Sequence, residues 1–239
     1  MKSPHSPRQN RLLSVLPRNE QKYLYPRLER VPIVLGQVLG ESGRALTHVY
    51  FPTTCVISLL YVLENGSSAE IALVGNEGLI GVAQFMGGDT MPNRVVAQSA
   101  GHAYRLPAQL LKQEFDRSIP LQHLLLRYTQ ALITQMAQTA VCNRYHSVEQ
   151  QLCRWLLLML DRSSSNKLVM TQELIANMLG VRREGITAAA GNLQGAGLIH
   201  YSRGRITILD RTRLEARACE CYWVVKTEFD RLLPDRTAV

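Results

Sequence analysis

The chain has 239 residues, 46% of them hydrophobic and 19% charged, with a net charge of +8. That balance excludes a disordered polyelectrolyte and gives enough length for a good core and two domains. The charge is uneven: residues 1–30 carry seven basic and two acidic residues, residues 31–160 eight of each, and residues 161–239 twelve and nine, so only the two ends favour a polyanion.

Residues 8–30 read as one or two short helices, with Leu12, Leu13, Val15 and Leu16 apolar and Pro17 as punctuation. From Val31 to about Leu106 the pattern changes to short strands: Val49–Phe51, a longer β-branched run Val56–Leu63, and Ala69–Val74 after the hairpin signal Glu64-Asn65-Gly66-Ser67. Further strands are expected at Arg94–Ser99 and Gly101–Leu106. Many short strands separated by Gly and Pro turns predict an antiparallel jelly roll.

Residues 119–160 are predicted to be helical. Leu121, Leu125, Tyr128, Leu132 and Met136 form one apolar stripe, suited either to the chain's own β-domain or to a second copy of the helix. Ser147 and Gln150 form a capping-box pattern that starts a fresh helix, so a bend is expected around Asn143–His146. Leu152, Trp155, Leu156 and Met159 then point to a core, and Asp161–Asn166 is a polar loop.

Residues 171–210 read as a helix-turn-helix followed by a β-wing. Ile175, Leu179 and Val181 mark the first helix and turn, and Ile186, Ala189 and Leu193 recur at helical spacing in the second. Ala176 permits a close helix crossing and Gly180 a tight turn. Arg182, Arg183 and Glu184 open the second helix, where side chains reach base edges, and Gly197 ends it. Thr171 and Thr187 are placed to donate to phosphates. His200-Tyr201, the turn Ser202-Arg203-Gly204 and the alternating Arg205–Ile208 form the wing, with Arg203 and Arg205 at its tip. A last helix is expected from the N-cap Asp210 to about Leu233.

The longest apolar run, Trp155–Leu160, is far too short to span a bilayer, and the N-terminus has no secretory core, so a cytoplasmic location and no membrane partner are expected. Five scattered cysteines (Cys55, Cys142, Cys153, Cys219, Cys221) argue against a disulfide framework. On one continuous helix Cys219 and Cys221 point to opposite sides, so no metal site is expected. No catalytic residues are assigned, because there is no GxSxG, HExxH or P-loop pattern. The rival readings are a cupin-like jelly-roll metal enzyme, which needs a His-x-His pair that the chain lacks, and a nucleotide-sensing module without DNA binding.

The phrases TQELIANMLGVRRE, HSVEQQLCRWLLLMLDR, VYFPTTCVISLLYVLENGSS and VGNEGLIGV, in their order along the chain, resemble the Crp/Fnr superfamily of bacterial transcription regulators from about Asn10 to Leu233. The resemblance implies an α+β fold: a cyclic-nucleotide-binding-like jelly-roll sensory domain (8–118), a long dimerisation helix (119–146) and a winged helix-turn-helix (147–239). It implies a homodimer on a pseudo-palindromic double-stranded DNA operator, with RNA polymerase as a further partner. Arg183 and Glu184 match the Arg-Glu pair that reads base edges in the family. Arg182 stands where a capping serine is usual, and Ala188 where a second base-reading arginine is usual, so the operator is expected to depart from the familiar consensus.

For an effector, Gly75 and Glu77 resemble the Gly-Glu loop that holds a cyclic nucleotide, with Arg94 as the cation. Val95-Val96 replaces the usual Ser-Ala, so a cyclic nucleotide is not assigned, and a turn or salt bridge is the favoured role of Glu77 and Arg94. The N-terminal cysteine cluster of iron–sulfur relatives is absent, and Cys55, His48 and His102 lack a spacing that supports haem ligation.

Overall fold

The computed structural model describes residues 6–163 and 165–233. The first five residues of the basic N-terminal block, Ser164 of the polar loop and residues 234–239 of the third predicted segment lie outside the described residues.

Helices α1 (Arg11–Val15) and α2 (Arg18–Leu24) are separated at Leu16-Pro17. The buried Asn10 caps α1 by accepting from Leu13 N, and its amide donates to the carbonyls of Pro52 and Gly78, fastening this segment to the β-domain. Seven strands follow: β1 (Glu29–Ile33), β2 (Val38–Gly40), β3 (His48–Pro52), β4 (Ile57–Val62), β5 (Ser68–Val74), and, after the one-turn α3 (Ala83–Met86), β6 (Arg94–Ala97) and β7 (Gly101–Pro107). They form two antiparallel sheets of order β1-β7-β3 and β2-β6-β4-β5. Val49, Phe51, Ile57, Leu73 and Leu106 are fully buried in the β-domain.

Helix α4 (Ala108–Arg117), absent from the sequence reading, leads into α5 (Ile119–Tyr145), whose start is capped by Ser118 and carries Pro120 in its first turn. The expected bend is present: His146 leaves helical geometry, and α6 (Val148–Asp161) begins behind a complete Ser147/Gln150 capping box. Strand β8 (Lys167–Val169) was not anticipated; it pairs with the wing and makes that sheet three-stranded. The remaining elements are α7 (Gln172–Leu179), α8 (Arg183–Gly195), β9 (Ile199–Ser202), β10 (Arg205–Ile208), α9 (Arg211–Arg217) and α10 (Glu220–Leu232). The expected single last helix is thus two, because Ala218 takes an extended backbone (ψ 152°). No Gly or Pro marks that break.

Buried polar contacts join the two halves. Glu70 on β5 accepts from Ser58 and, at 2.9 Å, from the indole of Trp155 on α6. Arg162, just past α6, meets Glu77 at 2.7 Å and Gln135 of α5 at 2.8 Å, and Gln135 in turn donates to Leu73 O. Helix α10 lies along α5, with Phe229 edge-on to Tyr128.

Burial raises the Glu70 pKa from 4.5 to about 7, against the opposing bonds from Ser58 and Trp155. A raised carboxyl binds its proton more tightly folded than unfolded, so its stabilising contribution is complete below 4.5 and is lost as pH rises through about 7. Denaturant unfolding followed by circular dichroism should show the stability advantage of the native protein over Glu70→Gln shrinking across that window. A pH-independent difference would contradict the assignment.

Candidate nucleic-acid interface

Helices α7 and α8 cross at buried Ile175, Ala176, Ile186 and Leu193. Gly180 makes the turn at φ +65°, a conformation that a side chain would strain. The hydroxyl of Thr171 caps α7 by accepting from Leu174 N. Thr187 on α8 reaches back to Gln172 Oε1 at 2.7 Å, locking the two helices in register. Thr171 and Thr187 thus already serve internal bonds, and both remain exposed.

Arg182 is the N-cap residue of α8 and makes no side-chain cap bond, leaving the first N–H groups of that helix open to an anion. Arg182→Ser should stabilise the domain by about 1 kcal/mol in thermal unfolding while weakening DNA binding. A lower melting temperature would show that arginine holds the helix start by another route.

At the wing, Arg203 (φ +48°) and Gly204 (φ +72°) form the turn between β9 and β10. Tyr201 anchors it: its hydroxyl donates to Met170 O, and its amide donates to Gln194 Oε1 on α8. A cleft between α8 and the wing is therefore lined by Thr171, Arg183, Thr187, Gln194, Tyr201 and Arg203. Arg182, Arg183, Glu184, Arg203 and Arg205 are all exposed. Among the described residues none of these four arginines is in an ion pair, whereas Arg211 is held by Asp161 and Glu215, and Arg217 by Glu149. Unpaired guanidinium groups around an uncapped helix start can take phosphate or a base edge without first breaking an internal pair.

Of the three effector candidates, Gly75 and Glu77 contact each other and Arg94 is engaged elsewhere. Glu77 accepts from Gly75 N and from Arg162, while Arg94 pairs with Glu41 on the surface. A partly open pocket of the β-domain touches Leu59, Ile80, Gly81, Val82, Asn93 and Leu132, and its volume is about 30 Å³. That is space for about two waters, far short of the roughly 300 Å³ of a small-molecule pocket.

The apolar stripe on α5 also needs correction. Leu121, Leu125, Tyr128 and Leu132 are buried in the chain's own core and Met136 is partly buried against it. Periodicity located the stripe but did not identify what covers it. The face left open carries Leu126, Ile133, Ala137 and Val141.

The cysteines depart from expectation as well. Cys219 is the N-cap of α10, outside the helix, so the opposite-faces argument fails. Cys142, His146, Cys219 and Cys221 bring their ligand atoms within 4.8 Å of one another. The one local signal for this group in the sequence is the i, i+4 pair Cys142/His146 at a helix end.

The chain matches the cyclic nucleotide-binding domain model over residues 31–118 and the Crp-like helix-turn-helix domain model over residues 150–217. No curated protein matches it. Among solved structures it is similar to a putative transcriptional regulator of the Crp/Fnr family from Eubacterium rectale (21% identity, TM-score 0.68, covering 86% of this chain and 96% of that one). It is similar too to FixK2 from Bradyrhizobium japonicum (14%, TM-score 0.69, 80% and 98%) and to the CRP-family regulator TTHB099 from Thermus thermophilus (16%, 0.66, 80% and 96%). With a cyclic-nucleotide-binding domain, a long helix and a Crp-like helix-turn-helix in that order, the chain belongs to the Crp/Fnr superfamily of transcription regulators.

Proposed function

We propose that the protein binds duplex DNA sequence-specifically as a homodimer, acting in the cytoplasm as a regulator rather than an enzyme. The carrying observation is the group of unpaired arginines at the start of α8 and the tip of the wing. In this reading residues 8–118 form the sensory unit, 119–146 the dimerisation helix and 147–239 the reading head. Arg183 and Glu184 read bases, Arg182, Arg203 and Arg205 hold phosphates, and Thr171 and Thr187 position the helix pair. Dimerisation uses the open face of α5, where the exposed Leu126, Ile133, Ala137 and Val141 lie along one side of the helix.

Selection from random duplexes, followed by gel shifts with competitor DNA at fixed salt, tests the function. The expected outcome is one enriched pseudo-palindrome bound far above competitor; uniform binding to every duplex would overturn it. Sedimentation of Leu126→Glu/Ile133→Glu should give a monomer. A signal at the jelly roll is expected to act by opening the small cavity, since its present volume holds no nucleotide. Calorimetry with cyclic AMP and cyclic GMP tests that candidate class, and heat from neither would remove it.

A further inference from the structure

We propose that Cys142, His146, Cys219 and Cys221 form a binding site for one thiophilic divalent cation, Zn(II) by preference. Three thiolates and an imidazole are the donor set of a closed tetrahedral zinc site. Four ligands at zinc bond lengths stand about 3.5–3.8 Å apart. Here Cys142 Sγ lies 3.5 Å from Cys219 Sγ, and Cys221 Sγ lies 3.7 Å from His146 Nδ1. All four atoms fall within 4.8 Å of one another, which suits a single ion better than a multinuclear cluster, whose sulfurs are spread around several metals.

The surroundings support ligation. Glu220 Oε2 is 3.3 Å from His146 Nε2, so the carboxylate takes the proton-bearing side of the ring and leaves Nδ1 facing the cysteines. The amide of Gln151 donates to His146 O at 2.9 Å, fixing the last turn of α5 that carries Cys142 and His146. Three thiolates, a neutral imidazole and a dication leave one negative charge. The buried guanidinium of Arg154, bonded to Thr139 one turn before Cys142, acts electrostatically on Cys142 and Cys221 and offsets it. The three sulfurs are buried, while the His146 side chain, 13% exposed, gives an entry edge. Loading forms three metal–sulfur bonds and one metal–nitrogen bond, displaces the ion's bound waters and releases thiol protons to solvent, with no change of oxidation state.

Cys142 and His146 end α5, and Cys219 and Cys221 begin α10. An ion held by all four ties the long helix to the last helix of the reading head, bypassing the bend at His146–Ser147.

The test uses the full chain, reduced, stripped with a chelator and titrated anaerobically with Co(II), then Zn(II). The expected result is one Co(II) per chain with the absorption of tetrahedral thiolate coordination, bleached by one equivalent of Zn(II). Cys142→Ser/Cys219→Ser should abolish it, while Cys55→Ala/Cys153→Ala retains it. Should the first variant fail to fold, His146→Asn and Glu220→Gln at the site's edge serve instead. The former should alter the Co(II) spectrum, and the latter should weaken Zn(II) binding by about 10–100-fold. Three results would each overturn the site: no uptake by fully reduced protein, uptake unchanged in the ligand variants, or a Cys142–Cys219 disulfide as the sole chemistry of the cluster.

Discussion

Arg162→Ala is expected to destabilise the protein by about 3–5 kcal/mol, read as a shift in the denaturant midpoint. Arg162 is 5% exposed and its partner Glu77 8%. The guanidinium also donates to Leu158 O and Gln135 Oε1, so it spends its donors on three separate elements. Removing it leaves Glu77 buried beside Gly75 N without its ion-pair partner, and one carboxylate oxygen, Oε2, already lacks a hydrogen-bond partner. The cost comes from that stranded charge rather than from the worth of the pair. The companion variant Glu77→Leu/Arg162→Met should therefore recover most of the loss, because replacing both members by apolar groups removes the desolvation penalty along with the attraction. A small effect of the single change would mean that the carboxylate escapes to water through the crevice it shares with Arg11 and Asp230.

Arg183→Ala is expected to abolish discrimination between the selected sequence and its variants at one base pair of each half-site. An arginine fork to guanine O6 and N7 is worth about 1–3 kcal/mol, or roughly 5- to 150-fold per contact. The contrast is Arg203→Ala at the wing tip, which should weaken all duplexes by a similar factor and reduce the salt dependence by about one counterion. Both arginines line the cleft; Arg183 is suited to the first role because it stands in the first turn of α8, whereas Arg203 sits at the wing turn. Unchanged sequence preference in the Arg183 variant would move base reading to another side chain, with Glu184 next in line.

What was legible in the sequence was whatever depended on near neighbours. The capping box at Ser147, the missing cap at Arg182 and the helix-turn-helix spacing are local patterns, and each appears as expected. The burial of Leu121, Leu125, Tyr128 and Leu132 was legible as a stripe but not as a contact, since periodicity carries no information about the partner surface. Glu77 illustrates the same limit: its loop resembles a ligand-binding phrase, yet the cation that reaches it comes from residue 162. The break at Ala218 carries no Gly or Pro, so the sequence pattern puts Cys219 and Cys221 on a continuous helix and hides the four-residue group, in which Cys142 and Cys219 stand 77 positions apart.

The chain has only two tryptophans, and they occupy very different settings. Trp223 is half exposed, whereas Trp155 is buried with its indole N–H on a carboxylate belonging to the opposite domain. The protein thus contains its own optical gauge: with Trp223 replaced by phenylalanine, emission colour and quenching report whether the β-domain and the helix-turn-helix half are seated together or parted. Candidate signals can be screened by fluorimetry before any operator is known.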